Sequence, residues 1–600
     1  MSNAPSSAAQ FAVGIDLGTT NSTVAFAPLS SEPCEPELLP IPQIVQPGQV
    51  ESRLALPSFL YLPREGERES LETSLGLEPA RGVAGNYARD QAADNPQRVV
   101  VAAKSWLCYS RQGRSEAVLP WQAPDEVPRV SALDCTTRFL EHLVAAWQAA
   151  HPEAPLNGQQ VVLTVPASFD PAARELTRQA ALAAGLPEDF VLLEEPQAAV
   201  YCWLSRQGDA WRRQVGAGDS MLVVDVGGGT TDLTLVTVAE DDGQLVLERT
   251  AVGNHLLVGG DNMDLALAHL VSQQLQAEGH SLDPWQSVSL WHACRAAKER
   301  LLAEDGPDEH TISVLGRGSS LIGGTISTTL AGQQAAAVLV DGFFPRCSLD
   351  DRPQPHASSG FQDIGLPYES DPAITRQVAA FLADHTTADA LPSHLLVNGG
   401  VFRSPAIRDR LCETVAAWCG GRLTQYTDPA DLDHAVALGA AYYGWTKHRG
   451  GVRIRGGTAR AYYIGIETAG LAIPGMPRPL RALCVAPQGM EEGTQADVPS
   501  EPVGVVVGAP ARFRFFSSTM RGDDQVGQKL DRWQDDELVE SDPIELQLTS
   551  QNAGDEPFVP VRFQSRVTEL GMFELWCHAI EGEDRWKMEF NVREQDEAPQ

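Results

Sequence analysis

Apolar positions along this 600-residue chain follow three rhythms. Short unbroken runs, Phe11 to Ile15 and Met221 to Val224, predict buried strands. Residues 161–204 alternate strand, helix, strand, helix. In that stretch Gly185 stops the first helix, the strand Phe190 to Leu193 delivers Glu194 and Glu195, and Pro196 opens the second helix. Longer amphipathic stretches predict helices from about Asp261 to Glu278 and from about Pro284 to Glu304. Beyond residue 460 the rhythm shortens to strands: Ala461 to Thr468, Ala511 to Phe516, Met572 to His578, and Trp586 to Arg593. The last alternates cleanly, placing Trp586, Met588, Phe590 and Val592 on one face. An α/β part followed by a mainly β part is the expected order. Six hundred residues exceed what one core can serve, so two or three domains are predicted.

Both short strands run into the same kind of turn. Val13-Gly-Ile-Asp-Leu-Gly-Thr-Thr-Asn-Ser22 and Met221-Leu-Val-Val-Asp-Val-Gly-Gly-Gly-Thr-Thr-Asp-Leu-Thr234 each reach an aspartate, bend on glycine and end in hydroxyls. A strand ending in Asp16 or Asp225 brings a carboxylate to a sheet edge, where it can hold a hydrated Mg²⁺. Gly18, Gly227, Gly228 and Gly229 let backbone N–H groups face a polyanion with no Cβ in the way. Thr19, Thr20, Thr230 and Thr231 add donors. One such turn is an ordinary hairpin signal, but two, about 200 residues apart, predict a duplicated fold closing on a nucleoside triphosphate. The Walker Gly-Lys-Ser/Thr pattern is absent from both.

Composition narrows the partners. A net charge of -34 argues against nucleic acid and membrane surfaces, both polyanionic. A nucleotide site must therefore make its own positive field. The first ten residues lack the cationic start and apolar stretch of a secretory signal. Ten scattered cysteines without a C-x-x-C pair predict reduced thiols in the cytoplasm.

In order and spacing, these stretches resemble the seventy-kilodalton heat-shock (heat shock protein 70, DnaK-type) chaperones of the actin-like ATPase superfamily. Ala102-Ala-Lys104-Ser-Trp-Leu107 resembles that family's catalytic-lysine segment, and Leu163-Thr-Val-Pro-Ala-Ser-Phe169 its TVPA strand. Leu193-Glu-Glu-Pro-Gln-Ala-Ala199 resembles its NEPTAA turn, and Val258-Gly-Gly-Asp-Asn-Met-Asp264 its LGGEDFD helix start. Val397-Asn-Gly-Gly-Val-Phe-Arg-Ser-Pro405 resembles its adenosine-binding motif. The resemblance is strong over residues 11–446 and faint beyond.

It implies an actin-like (ribonuclease H-like) two-lobed ATPase domain over residues 1–446, a basic Gly-rich linker at 447–460, and a β-rich, sandwich-like substrate-binding domain at 461–600. Asp16, Asp225 and Glu195 would hold the hydrated cation; Lys104, Glu195, Asp225 and Thr230 would carry hydrolysis. Phosphate contacts fall to Gly18, Thr19, Thr20, Asn21, Gly227, Gly228, Gly229, Thr231 and Asp232. Gly259, Gly260, Asp261, Lys298, Gly399, Gly400 and Arg403 would complete the nucleotide pocket. ATP or ADP with Mg²⁺, and K⁺ as an optional further cation, are the implied cofactors. An unfolded or specific client polypeptide, a J-domain co-chaperone and a nucleotide-exchange factor are the implied partners, with no nucleic acid and no membrane.

Several positions depart from the family. A register fixed on Lys298 puts Arg295 where the family has an acid and Leu302 where it usually has serine. Residues 343–372 are proline-dense where the family continues in helix. The linker is basic rather than acidic and leucine-rich, and the sequence past Val592 is too short for a helical lid. A nucleotide-gated scaffold with negligible hydrolysis, or a small-molecule kinase of the same superfamily, stand as alternative readings.

Overall fold

The two apolar runs become equivalent central strands of two sheets. In the first, β1 (Phe11–Leu17), β2 (Asn21–Pro28), β3 (Glu37–Leu38), β4 (Gln160–Val165) and β5 (Val191–Glu194) lie in the order β5-β4-β1-β2-β3. In the second, β6 (Ser220–Val226), β7 (Thr231–Asp241), β8 (Gln244–Val252), β9 (His394–Asn398) and β10 (Thr424–Tyr426) lie in the order β10-β9-β6-β7-β8. Pairing matches strand for strand: β1 is parallel to β4 and antiparallel to β2, as β6 is parallel to β9 and antiparallel to β7. Asp16 lies opposite Thr23, and Asp225 opposite Asp232. Every residue of β6 is buried, which is why Met221–Val224 within it is an unbroken apolar run rather than an alternation.

The structure describes residues 9–107, 116–121, 123–167, 169, 171–241, 243–253, 256–315, 325–354, 369–387, 390–426, 432–458, 460–467, 480–507, 510–518, 521–534, 537–540, 544–547, 558–568, 572–582 and 584–591. Ser168, Val592 and residues 355–368 of the proline-dense segment therefore lie outside the described residues. The chain divides into Met1–Ile454 and Arg455–Gln600.

Six helices place the candidate residues of the first unit: α1 (Ala103–Leu107), α2 (Pro171–Ala183), α3 (Glu195–Gln207), α4 (Gly260–Ala277), α5 (Pro284–Leu301) and α6 (Ala435–Arg449). Asp283 caps α5 by accepting from the Gln286 amide at 2.8 Å, with Pro284 at the first helical position. This helix ends at Leu301, short of the predicted Glu304, because the chain doubles back at Gly306. A Cβ there would lie 2.7 Å from the Arg300 and Leu301 carbonyls. α3 and α6 cross between the sheets, and their Val200, Tyr201, Ala440 and Tyr443 share one apolar cluster with Val162, Met221 and Val223. Where the sequence reading sets the start of a linker, α6 continues through Lys447 and His448 to Arg449 and stops on Gly450 at φ 73°. Ile454 is buried, and its amide donates to the Tyr201 hydroxyl at 2.9 Å.

The second unit is built of strands. Leu480–Ala486, Ala461–Glu467 and Pro510–Ser518 are the centre of one sheet; Phe558–Val567, Met572–Ala579 and Arg585–Asn591 run side by side in the other. Ile464, Leu483, Val485 and Phe515 from the first pack with Phe563, Phe573, Leu575 and Met588 from the second in one core. Met588 is thus buried as its alternation predicts. Among the described residues, no helix is long and apolar enough to cross a membrane, and nine cysteines are free thiols.

Candidate functional site

Each predicted turn leaves its central strand and enters one cavity of about 420 Å³ between the two halves. Asp16, Gly18, Thr19, Thr20 and Asn21 line it from the first half, with Lys104 of α1 and Glu195 of α3. Asp225, Gly227, Gly228, Thr230, Gly260, Asp261, Lys298, Gly399, Gly400 and Arg403 line it from the second. Gly229, Thr231, Asp232 and Gly259 stand just behind this lining. Thr231 donates from its hydroxyl to the Val258 carbonyl at 2.7 Å, and Asp232 accepts from Thr230 Oγ1 at 3.2 Å.

Close approach rather than a left-handed φ accounts for Gly18, Gly228 and Gly229, whereas a Cβ on Gly227 would meet only the Thr230 carbonyl oxygen at 3.6 Å. A Cβ on Gly228 would lie 2.3 Å from Thr20 Oγ1, and one on Gly229 the same distance from Ser105 Oγ. The halves thus meet at these turns. Behind them, Gly260 and Asp261 donate backbone N–H bonds to the Gly227 and Gly228 carbonyls at 3.0 and 2.7 Å, fixing the second turn to the start of α4. Gly399 combines φ 98° with a would-be Cβ 2.2 Å from the Val226 carbonyl oxygen, so only glycine fits there.

Lys104 Nζ donates to Glu195 Oε1, and both side chains are largely buried. Ala102, two residues earlier, is the one non-glycine position among the described residues with positive φ (52°), a backbone cost accepted where the chain turns to deliver Lys104. Burial alone would lower the Lys104 ammonium, but the Glu195 and Asp16 carboxylates outweigh it and hold the ammonium above its ordinary value. Burial raises Asp16, against the pull of Lys104 and a 3.3 Å hydrogen bond from Thr164. Burial likewise raises Glu195. Asp225 is pushed up to about 7 by burial, with Asp232 and Asp16 adding to it, although Asn398 Nδ2 donates to it at 3.0 Å. Four acids, Asp16, Glu195, Asp225 and Asp232, share this one ammonium.

That imbalance of charge fits a cation. Among the described residues no three His, Cys, Asp or Glu side chains converge closely enough to hold a metal ion directly. The carboxylates therefore suit a hydrated ion bound through its waters. A pH dependence follows. A carboxyl raised in the folded state stabilises the fold below its unfolded value and loses that contribution as pH rises through its folded value. For Asp225 the window runs from about 4 to about 7. The ligand-free chain is expected to lose thermal stability across it, and Asp225→Asn to flatten that slope. Melting curves at pH 5 and 7.5 check this; equal slopes in parent and variant would contradict it.

The far end of the cavity is formed by α4, α5 and the Gly399 turn. Arg295 Nε donates to Asp264 Oδ2 at 2.7 Å and Nη2 to Asp261, while its guanidinium lies 5.6 Å from the ring centre of Phe59. Lys298 donates to the Gly260 carbonyl at 2.9 Å and lies 2.6 Å from Asp264. Arg403, mostly exposed, pairs with Asp433. Leu302 and Ala303, just past the end of α5, line the same cavity. Asn398 and Asp264 stand inside the quoted motifs, and Asp433 lies 28 residues beyond the last of them, yet no local pattern gives any of the three a role. Their partners are distant in sequence.

Residues 76–313 match the family model described as Hsp70 protein. A chaperone protein HscA homolog of Burkholderia orbicola is 30% identical over 443 residues, covering 72% of this chain and 58% of that relative. HscA homologs of Pseudomonas aeruginosa and Acinetobacter baylyi are 31% and 29% identical over 309 and 306 residues, each covering 49% of this chain and 42% of the relative. The chain thus spans about half the length of the relatives it matches. Two like halves meet over glycine turns beside a buried lysine–carboxylate pair, a concavity suited to a polyanion with its cation. The chain is a divergent member of the Hsp70 family.

Proposed function

We propose that the chain is an ATP-driven chaperone: it binds MgATP in the cavity of its first unit, hydrolyses it, and couples the nucleotide state to polypeptide binding by its second. The observation that carries this reading is the buried Lys104–Glu195 pair facing Asp16 and Asp225 across the glycine turns. The first unit is an actin-like two-lobed ATPase domain and the second a β-sandwich, in keeping with the repeated strand order and the shared core of its two sheets.

Bound Mg²⁺ would neutralise phosphate charge and orient the terminal phosphoryl group. Asp16, Asp225 and Glu195 would hold its water shell. Thr19, Thr20 and the Gly227–Gly229 backbone would grip the phosphates, and Lys104, a compact cation, would bring the attacking water and a terminal phosphate oxygen together. Thr230, whose hydroxyl donates to Asp232, would accept from the attacking water at the same point. Gly399, Gly400 and Arg403 with Lys298 would hold the nucleoside. Client polypeptide, a J-domain co-chaperone and an exchange factor, in the cytoplasm, complete the reading.

The test is phosphate release from MgATP with no acceptor added, alongside capture of unfolded polypeptide with and without ATP. Turnover is expected without acceptor, and ATP is expected to release captured polypeptide. Strict dependence on a small-molecule acceptor would make the chain a kinase, and capture indifferent to ATP would refute the coupling.

A further inference from the structure

Glu194 occupies the last position of β5, one residue before Glu195, and is fully buried. Its Oε2 accepts a hydrogen bond from Arg249 Nη1 at 2.8 Å, and its Oε1 lies 3.7 Å from Arg174 Nη2. Arg249 belongs to β8 of the second half, and Arg174 to α2 of the first. Both guanidinium side chains are 5% exposed. Arg174 also donates to the Ala167 carbonyl at 3.1 Å, which anchors the group to the segment after β4.

Two buried guanidiniums converge on one buried carboxylate. Such groups are poor glue: apolar side chains of equal volume commonly hold two surfaces as well or better. What they supply is direction. The Arg249 bond runs from the sheet of one half to the residue preceding Glu195 in the other, where β5 gives way to α3.

We propose that the Arg249–Glu194 bond is a positioning link, setting Glu195 against Lys104 so that the rate of hydrolysis depends on it while nucleotide affinity does not. This rests on the nucleotide reading above. Neither residue lines the cavity, so neither contributes to binding directly. The bond joins the two halves, so the Glu195–Lys104 geometry follows their closure.

The experiment uses the full chain with Arg249→Gln, the nearly isosteric Glu194→Gln, and both together. Single-turnover hydrolysis of MgATP is expected to fall about tenfold or more in each, since small misplacements of a catalytic group are costly. MgADP affinity and the melting shift on adding MgADP are expected to stay within about threefold of the parent's response, and Arg249→Lys to recover part of the rate. The double variant is expected to be no slower than the slower single one, because both remove the same link. Folded variants hydrolysing within about twofold of the parent, or losses that multiply in the double variant, would overturn the link. So would parallel loss of MgADP binding, or failure of both single variants to fold, which would mark the group as a structural cross-link. A parent chain that neither binds nor hydrolyses MgATP would instead sink the nucleotide reading beneath it.

Discussion

Lys104→Ala is expected to lower MgATP hydrolysis by about a hundredfold or more while leaving nucleotide bound, since removing one preorganised charge at a reacting centre costs that order of rate. The magnitude rests on burial and on scarcity of positive charge. The Lys104 side chain is 9% exposed and donates directly to Glu195, and its charge acts on Asp16, Asp225 and Asp232. Arg295 and Lys298 line the same cavity but are engaged by Asp261 and Asp264 at its other end, so neither can substitute. Arginine at position 104 is expected to recover little, because a planar guanidinium is longer and spreads its charge over a fork. Phosphate release in single turnover measures the rate, and equilibrium binding of MgADP shows that the site survives. A Lys104→Ala chain hydrolysing at the parent rate would remove the lysine from the mechanism.

The sequence marked what is local. Asp16 and Asp225 each follow a short apolar run, and Glu195 comes just past another, where β5 gives way to α3, so a strand of that length delivers each toward a sheet edge whatever the rest of the chain does. Gly399 is marked only by the resemblance of Val397–Pro405 to an adenosine-binding motif, and its φ and close approach explain why glycine stands there. What escaped was long-range. The Asn398–Asp225 bond spans 173 residues and the Glu194–Arg249 bond 55, and no periodicity announces either. Arg295 appeared in sequence only as a departure from a pattern. In the fold it is the centre of an ion-pair group with Asp261 and Asp264, stacked beside Phe59 of the other half. Opposite charge across two helices compensates there, which a reading of one helix at a time cannot reveal. The same reasoning applies to charge as a whole. In a chain of net charge -34 the cavity is itself rich in carboxylates and its cations are paired, so a polyphosphate would need backbone amides and an accompanying cation to be held there.

Gly439→Ala is expected to destabilise the first unit by about 3 kcal/mol or more, the upper end of what overpacking costs, because nothing at the contact can yield. A Cβ on Gly439 would lie 1.7 Å from the Ala198 carbonyl oxygen, 2.7 Å from its carbon and 2.8 Å from the Cys202 nitrogen. All three are backbone atoms of α3, so relief requires the helices themselves to part. Gly14 on β1 repeats the constraint on the other side of α6, where its Cβ would lie 2.3 Å from the Ala437 carbonyl oxygen. α6 is therefore clamped between a strand and a helix with no slack in either direction. Gly444→Ala is the control: its nearest contacts, Ala12 Cβ at 3.2 Å and Val162 Cγ2 at 3.3 Å, include a side chain that can give, and a much smaller loss is expected. Denaturant titration of both variants measures the difference. Function adds a second readout, since α3 begins with Glu195. A helix pushed off α6 carries that carboxylate away from Lys104, so a Gly439→Ala chain folded at low temperature should still hydrolyse slowly. Parent stability in Gly439→Ala would mean that α3 and α6 do not touch at Gly439, and the cavity wall that depends on their crossing would have to be rebuilt.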